Sequence, residues 1–380
     1  MHMVLALSAL SLTAITGKPH YYPIALRHKQ RTMQLIREQI ALNDIAAASN
    51  ANVIVILMLC MFEISDNCQV SWSIHLSAAL DLMRLASRGS SPTSVLTKLS
   101  PQVIEFVSRF FLVKDALGRT ACGKVAKIKH EMVPVDSSEH IDPSIGCSYE
   151  LVGVISRITD LSRDMRNPQI ESDAWYAETL ELEKHIDTVT QRLPSIYFQL
   201  PSVSHPSPET SEPYSKYLDE TTILHNTSLL IQTSATLYFQ ATLRSLNPHS
   251  ARARGLIEQI IKYTRQLSPN HLRSAHLWPL FVGAVYSTGN DEERVWFLDQ
   301  FDILAKERRA LVARGVLRRV KDIVESVWKR RDLDDHCDTD SAGAGAGAGR
   351  SSDQERGISP VEIGDWEKYV QPLSEGLCLG

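Results

Sequence analysis

The residues able to do chemistry are sparse in this chain, and their spacing argues against the common catalytic and metal sites. Six cysteines stand at positions 60, 68, 122, 147, 337 and 378. A structural zinc site takes four Cys or His ligands at short intervals, and no two of these cysteines are close enough in sequence to start one. His271 and His276 are five residues apart, a spacing that does not place both rings on one helical face. His130-Glu131 opens like a zinc-protease helix, but position 134, where the second histidine would stand, is Pro134. There is no Gly-x-Ser-x-Gly nucleophile elbow. The Ala-Gly repeat over 342–349 lacks both the Lys-Ser/Thr and the preceding strand of a phosphate loop.

A catalytic thiol needs a histidine partner and a lowered pKa, and the sequence pairs none. Cys60 lies in an unbroken apolar run and reads as core. Cys68 follows a turn at Asp66-Asn67 with nothing nearby in sequence to complete a site. Such scattered cysteines are expected to be buried or free thiols in a reducing compartment, without a disulfide framework. We therefore expect no enzyme, no catalytic, cofactor-binding or metal-binding residues, and no cofactor. The rival enzymatic reading would gather ionisable groups in one deep pocket around His75, His276 and the Trp278 cluster.

Charge gives one further candidate. The formal net charge is −4, so the chain as a whole is no polyanion binder. Between 306 and 331, however, ten Lys/Arg stand against three acids. This run suits a nuclear-import or nucleic-acid patch. It equally suits the solvated faces of two helices, a reading favoured by the intact apolar stripe Val316, Leu317, Val320, Ile323, Val324, Val327 and Trp328 that interleaves it. The sequon Asn226-Thr227-Ser228 falls inside a strongly helical pattern and is taken as a chance match.

The elements that must position all of these are helices. Apolar residues recur at three- and four-residue steps in 75–85, 151–161 and 316–328. Period-two alternation is nearly absent, which leaves little room for a sheet. Breakers at 88–92, a loop over 130–146, a four-proline stretch over 200–213, and the pairs Asn247-Pro248 and Ser268-Pro269 separate the blocks; Ser100-Pro101 opens a helix. Further helices are expected at 21–43, 251–267, 276–288, 292–306 and 313–331. The apolar run over 3–15 has no Lys or Arg before it, unlike a signal peptide, and is expected to be a buried first helix. The run over 53–62 is about half of the ~20 residues a bilayer requires, so no membrane contact is expected.

The expected fold is all-α, an irregular multi-helix bundle of packed amphipathic helices. It comprises a helical domain over 1–331, with sub-blocks at about 1–130, 147–200 and 214–331. A disordered Gly/Ala-rich linker over 332–362 and a short C-terminal helix over 363–380 follow. Hydrophobic residues at 43% and charged residues at 22% are ordinary globular proportions that can fill such a core. A helical-repeat interaction scaffold would show a fixed period of roughly 34–47 residues, and block lengths here differ throughout.

Taken in order, the blocks resemble the fungal-specific transcription factor domain, the regulatory region that follows a six-cysteine, two-zinc DNA-binding cluster. Leu5-Ala6-Leu7-Ser8-Ala9-Leu10 and Tyr21-Tyr22-x-x-Ala25-Leu26 resemble its opening helices. Trp72-x-x-His75-Leu76-x-x-Ala79 resembles its W-x-x-H-L segment, and Glu150-Leu151-Val152 onward resembles its next helix. Trp278-Pro279-Leu280-Phe281-Val282-Gly283-Ala284, with Arg294 downstream, resembles its most recognisable motif. Val327-Trp328-x-x-Arg331-Asp332 and Asp365-Trp366 resemble its closing helices.

The resemblance implies a nuclear regulatory or effector domain of a fungal transcription regulator. Its partners would be a second regulator chain, as homo- or heterodimer, the transcriptional machinery and a small-molecule effector. The family's zinc cluster and basic linker have no counterpart in these residues, as in a truncated gene or a cluster-less regulator. Direct DNA binding and zinc are accordingly not expected of this chain alone.

Overall fold

The computed structural model describes residues 1–41, 50–68, 71–88, 100–121, 139–164, 172–194, 211–267, 274–288, 291–306, 311–343, 365–370, 373 and 377–379. The four-proline stretch up to 210, the His130-Glu131 pair, His271, and Cys122 lie outside them.

Helices dominate, as the periodicity requires. The first group is α1 (His2–Thr16), α2 (Tyr21–Ala41), α3 (Asn50–Ser65), α4 (Ser71–Arg88) and α5 (Pro101–Ala121). A two-residue hairpin, β1 (Ile141–Asp142) with β2 (Cys147–Ser148), leads into α6 (Tyr149–Asp164) and α7 (Ser172–Thr188). Then come α8 (Ser211–Leu243), α9 (Ala251–Arg265), a 3₁₀ turn (Ser274–His276), α10 (Leu277–Tyr286), α11 (Asp291–Lys306), α12 (Leu311–Gly343) and α13 (Asp365–Val370).

Local chemistry sets several ends. The Ser100 hydroxyl accepts the Val103 N–H at 3.3 Å ahead of Pro101, which has no N–H to satisfy in the first turn of α5. The Ser250 hydroxyl accepts the Ala253 N–H at 3.2 Å and starts α9. Gly17, at φ 66°, ends α1 in the left-handed conformation that a glycine adopts without strain.

The core is built around α8 and α10. Every residue of α10 is buried, as expected for a helix apolar on all sides. It packs on α8, α9, α11 and α12, while α8 also packs on α6 and α7. Gly283 is required by this crowding, because a Cβ there would stand 2.9 Å from Cζ of Phe297 and 3.1 Å from Cγ2 of Ile260. A second, smaller core joins α1, α2 and α3 through Met3, Ala6, Leu10, Ala25, Leu59 and Phe62.

Polar ties cross this packing where burial demands them. Glu63, on α3, meets Nζ of Lys29 from α2 at 2.6 Å and Nε2 of His75 from α4 at 3.4 Å. On α5, the fully buried Arg119 meets Asp115 at 2.9 Å and reaches Asp160 of α6 at 2.5 Å. Arg294 of α11 grips the Asp332 carboxylate with two hydrogen bonds of 2.7 and 2.8 Å while lying over the Trp328 ring.

Three expectations need correction. The first helix is not buried: α1 covers Met3, Ala6, Ala9 and Leu10 but exposes Val4, Leu5, Leu12 and Ile15. An apolar run without a polar face cannot announce which side will be covered. Second, α12 continues past 331 to Gly343, so the segment expected to be a disordered linker from 332 begins as helix. Its acids find partners there: Asp332 takes Arg294, and Asp334 takes Lys368 at 2.9 Å and the Tyr369 hydroxyl. Third, the closing helix spans only Asp365–Val370, and Leu377–Leu379 form a buried terminal segment instead. The first strand of the short hairpin and its turn fall within the expected 130–146 loop, and β2 follows directly after it. Asn226, the sequon asparagine, is buried within α8.

Candidate functional site

A cavity of about 640 Å³ lies along one face of α5. Gln102, Phe106, Arg109, Phe110, Val113, Lys114 and Leu117 recur on it at helical spacing and form one wall. The hairpin supplies Asp142, Ser144 and Ile145 opposite, and α6 adds Tyr149. The 3₁₀ turn closes one side with Ser274 and Ala275, and Met61 of α3 and Leu379 of the terminal segment complete the lining. The hairpin is thus a small device with a local purpose. Its turn includes Gly146 at φ 79°, and Asp142 and Ile145 line the cavity together with α5.

The wall is mainly apolar with a compact charged group at one place. Arg109 pairs with Glu105 at 2.6 Å, stands 3.8 Å from Asp142, and lies over the Tyr149 ring with 5.3 Å to its centroid. Its Nε is buried and has no hydrogen-bond partner. Burial alone would push the Asp142 carboxyl up. Hydrogen bonds from Ser144 and Tyr149, with the Arg109 charge, hold it below its usual value. Burial, reinforced by Asp142, raises the Tyr149 phenol, so that hydroxyl remains a donor. Lys114 is mostly buried, its Nζ 5.6 Å from the Phe110 centroid, whereas Phe106 is 57% exposed. An aromatic ring that open beside a half-filled groove offers apolar area to a ligand.

Two acids (Glu105, Asp142) balance two cations (Arg109, Lys114) in this lining. The Ser144 hydroxyl donates to the Asp142 carboxylate within the hairpin turn, two residues away. The arrangement can hold a molecule with a flat apolar body against Phe106 and Phe110. One acceptor-rich or anionic end would then reach Arg109 and Lys114.

The residues singled out in the sequence sit elsewhere. Trp72, Leu76 and Ala79 of α4 are core, with Trp72 packed so closely on α5 that a Cβ at Gly118 would be 3.0 Å from its ring. His75 is engaged with Glu63. Trp278, Pro279, Leu280 and Phe281 are buried in α10. Trp278 donates its indole N–H to the Thr120 hydroxyl at 3.0 Å, and Trp328 donates its own to the Ala284 carbonyl at 2.8 Å. Asp365 and Trp366 begin α13, but their side chains lie outside the described residues. His276 pairs with Thr227 of α8 at 3.1 Å, so His75 and His276 are engaged by different helices.

In the basic run, Arg331 is buried under Tyr286 and Tyr369, Arg319 bonds the Cys68 carbonyl at 3.0 Å, and Lys321 meets Asp302 at 2.9 Å. Among the described residues, no group of three or more His, Cys, Asp or Glu is placed to hold a metal, and no helix is long and apolar enough to cross a membrane.

The cavity residues escaped sequence reading because the α5 stripe has the same three- and four-residue steps as a core stripe. A usable signal was the unusual mixture within it, with Arg109 and Lys114 flanking Phe110 on one face.

No curated protein and no solved structure matches the chain. A family model described as the fungal specific transcription factor domain matches residues 1–380, and the chain belongs to that family of fungal transcription regulators.

Proposed function

We propose that this chain is the regulatory body of a nuclear fungal transcription regulator, and that it responds to a small effector held in the α5 cavity. One observation carries the reading. A cavity of about 640 Å³ combines a half-open aromatic wall with a buried, unpartnered guanidinium nitrogen at Arg109, in a family whose members regulate transcription. The effector would be a small molecule with an aromatic or aliphatic body and one anionic or acceptor-rich group. Because the cavity touches α3, α5, the hairpin, α6, the 3₁₀ turn leading into α10 and the terminal segment, a ligand there would bias the relative packing of all six. That is how a small molecule alters a surface read by a protein partner.

The partners would be a second regulator chain and components of the transcriptional machinery. The exposed apolar residues of α1 (Val4, Leu5, Leu12 and Ile15) offer one face for such contacts. In this reading the chain itself neither contacts DNA nor binds a metal or cofactor.

The test is a reporter assay with the chain fused to an unrelated DNA-binding domain. Output is expected to differ from that of the DNA-binding domain alone and to vary with growth condition. Ala275→Phe, which places a ring in the cavity from a small, partly exposed position, should fix output at one level. Unchanged variation in Ala275→Phe, or wild-type output equal to the bare DNA-binding domain in every condition, would overturn the reading.

A further inference from the structure

We propose that Cys68 and Cys378 form a reversible disulfide that locks the C-terminal segment into the core, making this pair a site of oxidative modification. The two residues are separated by 310 positions, yet the Cys378 backbone N–H donates to Sγ of Cys68 at 3.0 Å. The Cys378 side chain springs from the atom bonded to that nitrogen, which makes the two sulfur-bearing side chains close neighbours. Leu377, Cys378 and Leu379 are each at most 1% exposed, and Cys68 is fully buried.

The backbone at Cys68 is itself unusual. Asn67 and Cys68 both have positive φ, 60° and 52°, a conformation that costs free energy in residues with a side chain. Cys68 is held there from outside its own turn, because Nη1 of Arg319, on α12, donates to its carbonyl at 3.0 Å. An external clamp therefore keeps a strained residue at the position where its sulfur meets the terminal segment. A thiol needed only for packing would fit on the preceding regular helix, as Cys60 does.

Burial, followed by the neighbouring Cys378, pushes the Cys68 thiol up and makes it slow to react while the segment is seated. Oxidation would thus begin when the terminal segment lifts and presents Cys378 to a peroxide. The Cys378 sulfur attacks one peroxide oxygen, the O–O bond breaks, and a sulfenic acid and a water are formed. When the segment returns, Cys68 attacks that sulfur. The S–S bond forms as the S–O bond breaks, and the hydroxyl leaves as a second water with the remaining thiol proton. Two thiols have lost two electrons and one hydrogen peroxide has been reduced. A thiol reductant reverses the link. The inference is independent of what the cavity binds, although Leu379 belongs to its lining.

The experiment treats the purified full chain with hydrogen peroxide, alkylates the remaining thiols and maps peptides without reduction. The expected result is a Cys68–Cys378 linked peptide that disappears on reduction and in Cys68→Ser. Trimming of residue 378 and those before it by carboxypeptidase should slow by about tenfold or more on oxidation, as expected when a locally opening segment is tied down. In Cys68→Ser that slowing should vanish. Mapping the wild-type chain needs no variant, so the assignment stands or falls even if Cys68→Ser folds poorly. Linkage of Cys378 to Cys60 instead, Cys378 oxidised without a partner, or both thiols still free after the other cysteines have reacted would each overturn it.

Discussion

Arg119→Ala should cost about 3–5 kcal/mol of folding stability, a large share of what a domain possesses. The magnitude follows from what the substitution leaves behind. The Arg119 side chain is fully buried, forms an ion pair with Asp115 at 2.9 Å, and donates hydrogen bonds to Asp160 and to the Ser156 hydroxyl, each at 2.5 Å. Asp115 has no exposed surface, so removing the guanidinium strands a carboxylate away from water. Asp160 is 15% exposed and is partly rescued by solvent.

Arg163 tempers the loss. Its pKa is lowered, first by burial and next by Arg119, so deleting Arg119 relieves one unfavourable contact. A double variant, Arg119→Met with Asp115→Leu, should recover most of the stability, because it removes both charges together. Urea denaturation of the three proteins measures this. If Arg119→Ala loses less than about 1 kcal/mol, the pair is not the buried, mutually dependent tie between α5 and α6 inferred from its geometry.

The second large effect is pH-dependent and centres on Glu63. Burial alone would raise its pKa, but hydrogen bonds from His75 and Lys29, with the Lys29 charge, bring it down from the ordinary 4.5 to about 2. A carboxyl whose folded-state pKa is depressed stabilises the fold above its unfolded pKa and loses that contribution as pH falls toward the folded value. Wild-type stability should therefore decline between about pH 4.5 and pH 2 with a component that Glu63→Gln lacks. Above that window the variant should be weaker by about 1–3 kcal/mol, since Lys29 loses its counter-charge beneath α2. The two stability curves, read by thermal melts across pH, should converge at the acid end. Parallel curves would mean that Glu63 is not the group that titrates.

These two ties show what a sequence displays and what it withholds. The stripes of α4, α6 and α12 and the Ser100-Pro101 start of α5 are local, since each signal lies within a turn or two of the backbone it controls. The fold class followed from them directly. His75 could be recognised as part of a motif, yet its partner Glu63 belongs to another helix, and only packing joins the two. The acids at 332 and 334 looked like the start of a solvated linker. They lie on α12 and pair with Arg294 and Lys368, remote in sequence.

The cavity is the least legible feature of all. Phe106 and Phe110 have the spacing of core residues, and nothing in that spacing reveals that the facing element is a two-residue hairpin too short to cover them. The exposed apolar side of α1 is hidden for the same reason. Periodicity shows that a face exists but not what covers it.

Whether the α5 cavity is a ligand site or merely imperfect packing is most directly tested with a probe of the proposed chemistry. Anilinonaphthalene sulfonate carries fused aromatic rings and one anionic group. Titrated into the folded chain, it should bind at a single site with enhanced fluorescence. Binding should be abolished by Ala275→Phe and weakened roughly tenfold by Arg109→Gln, the ~1.4 kcal/mol scale of one charge-assisted hydrogen bond. Equal dye binding by all three proteins would contradict the assignment of this cavity as the regulatory site.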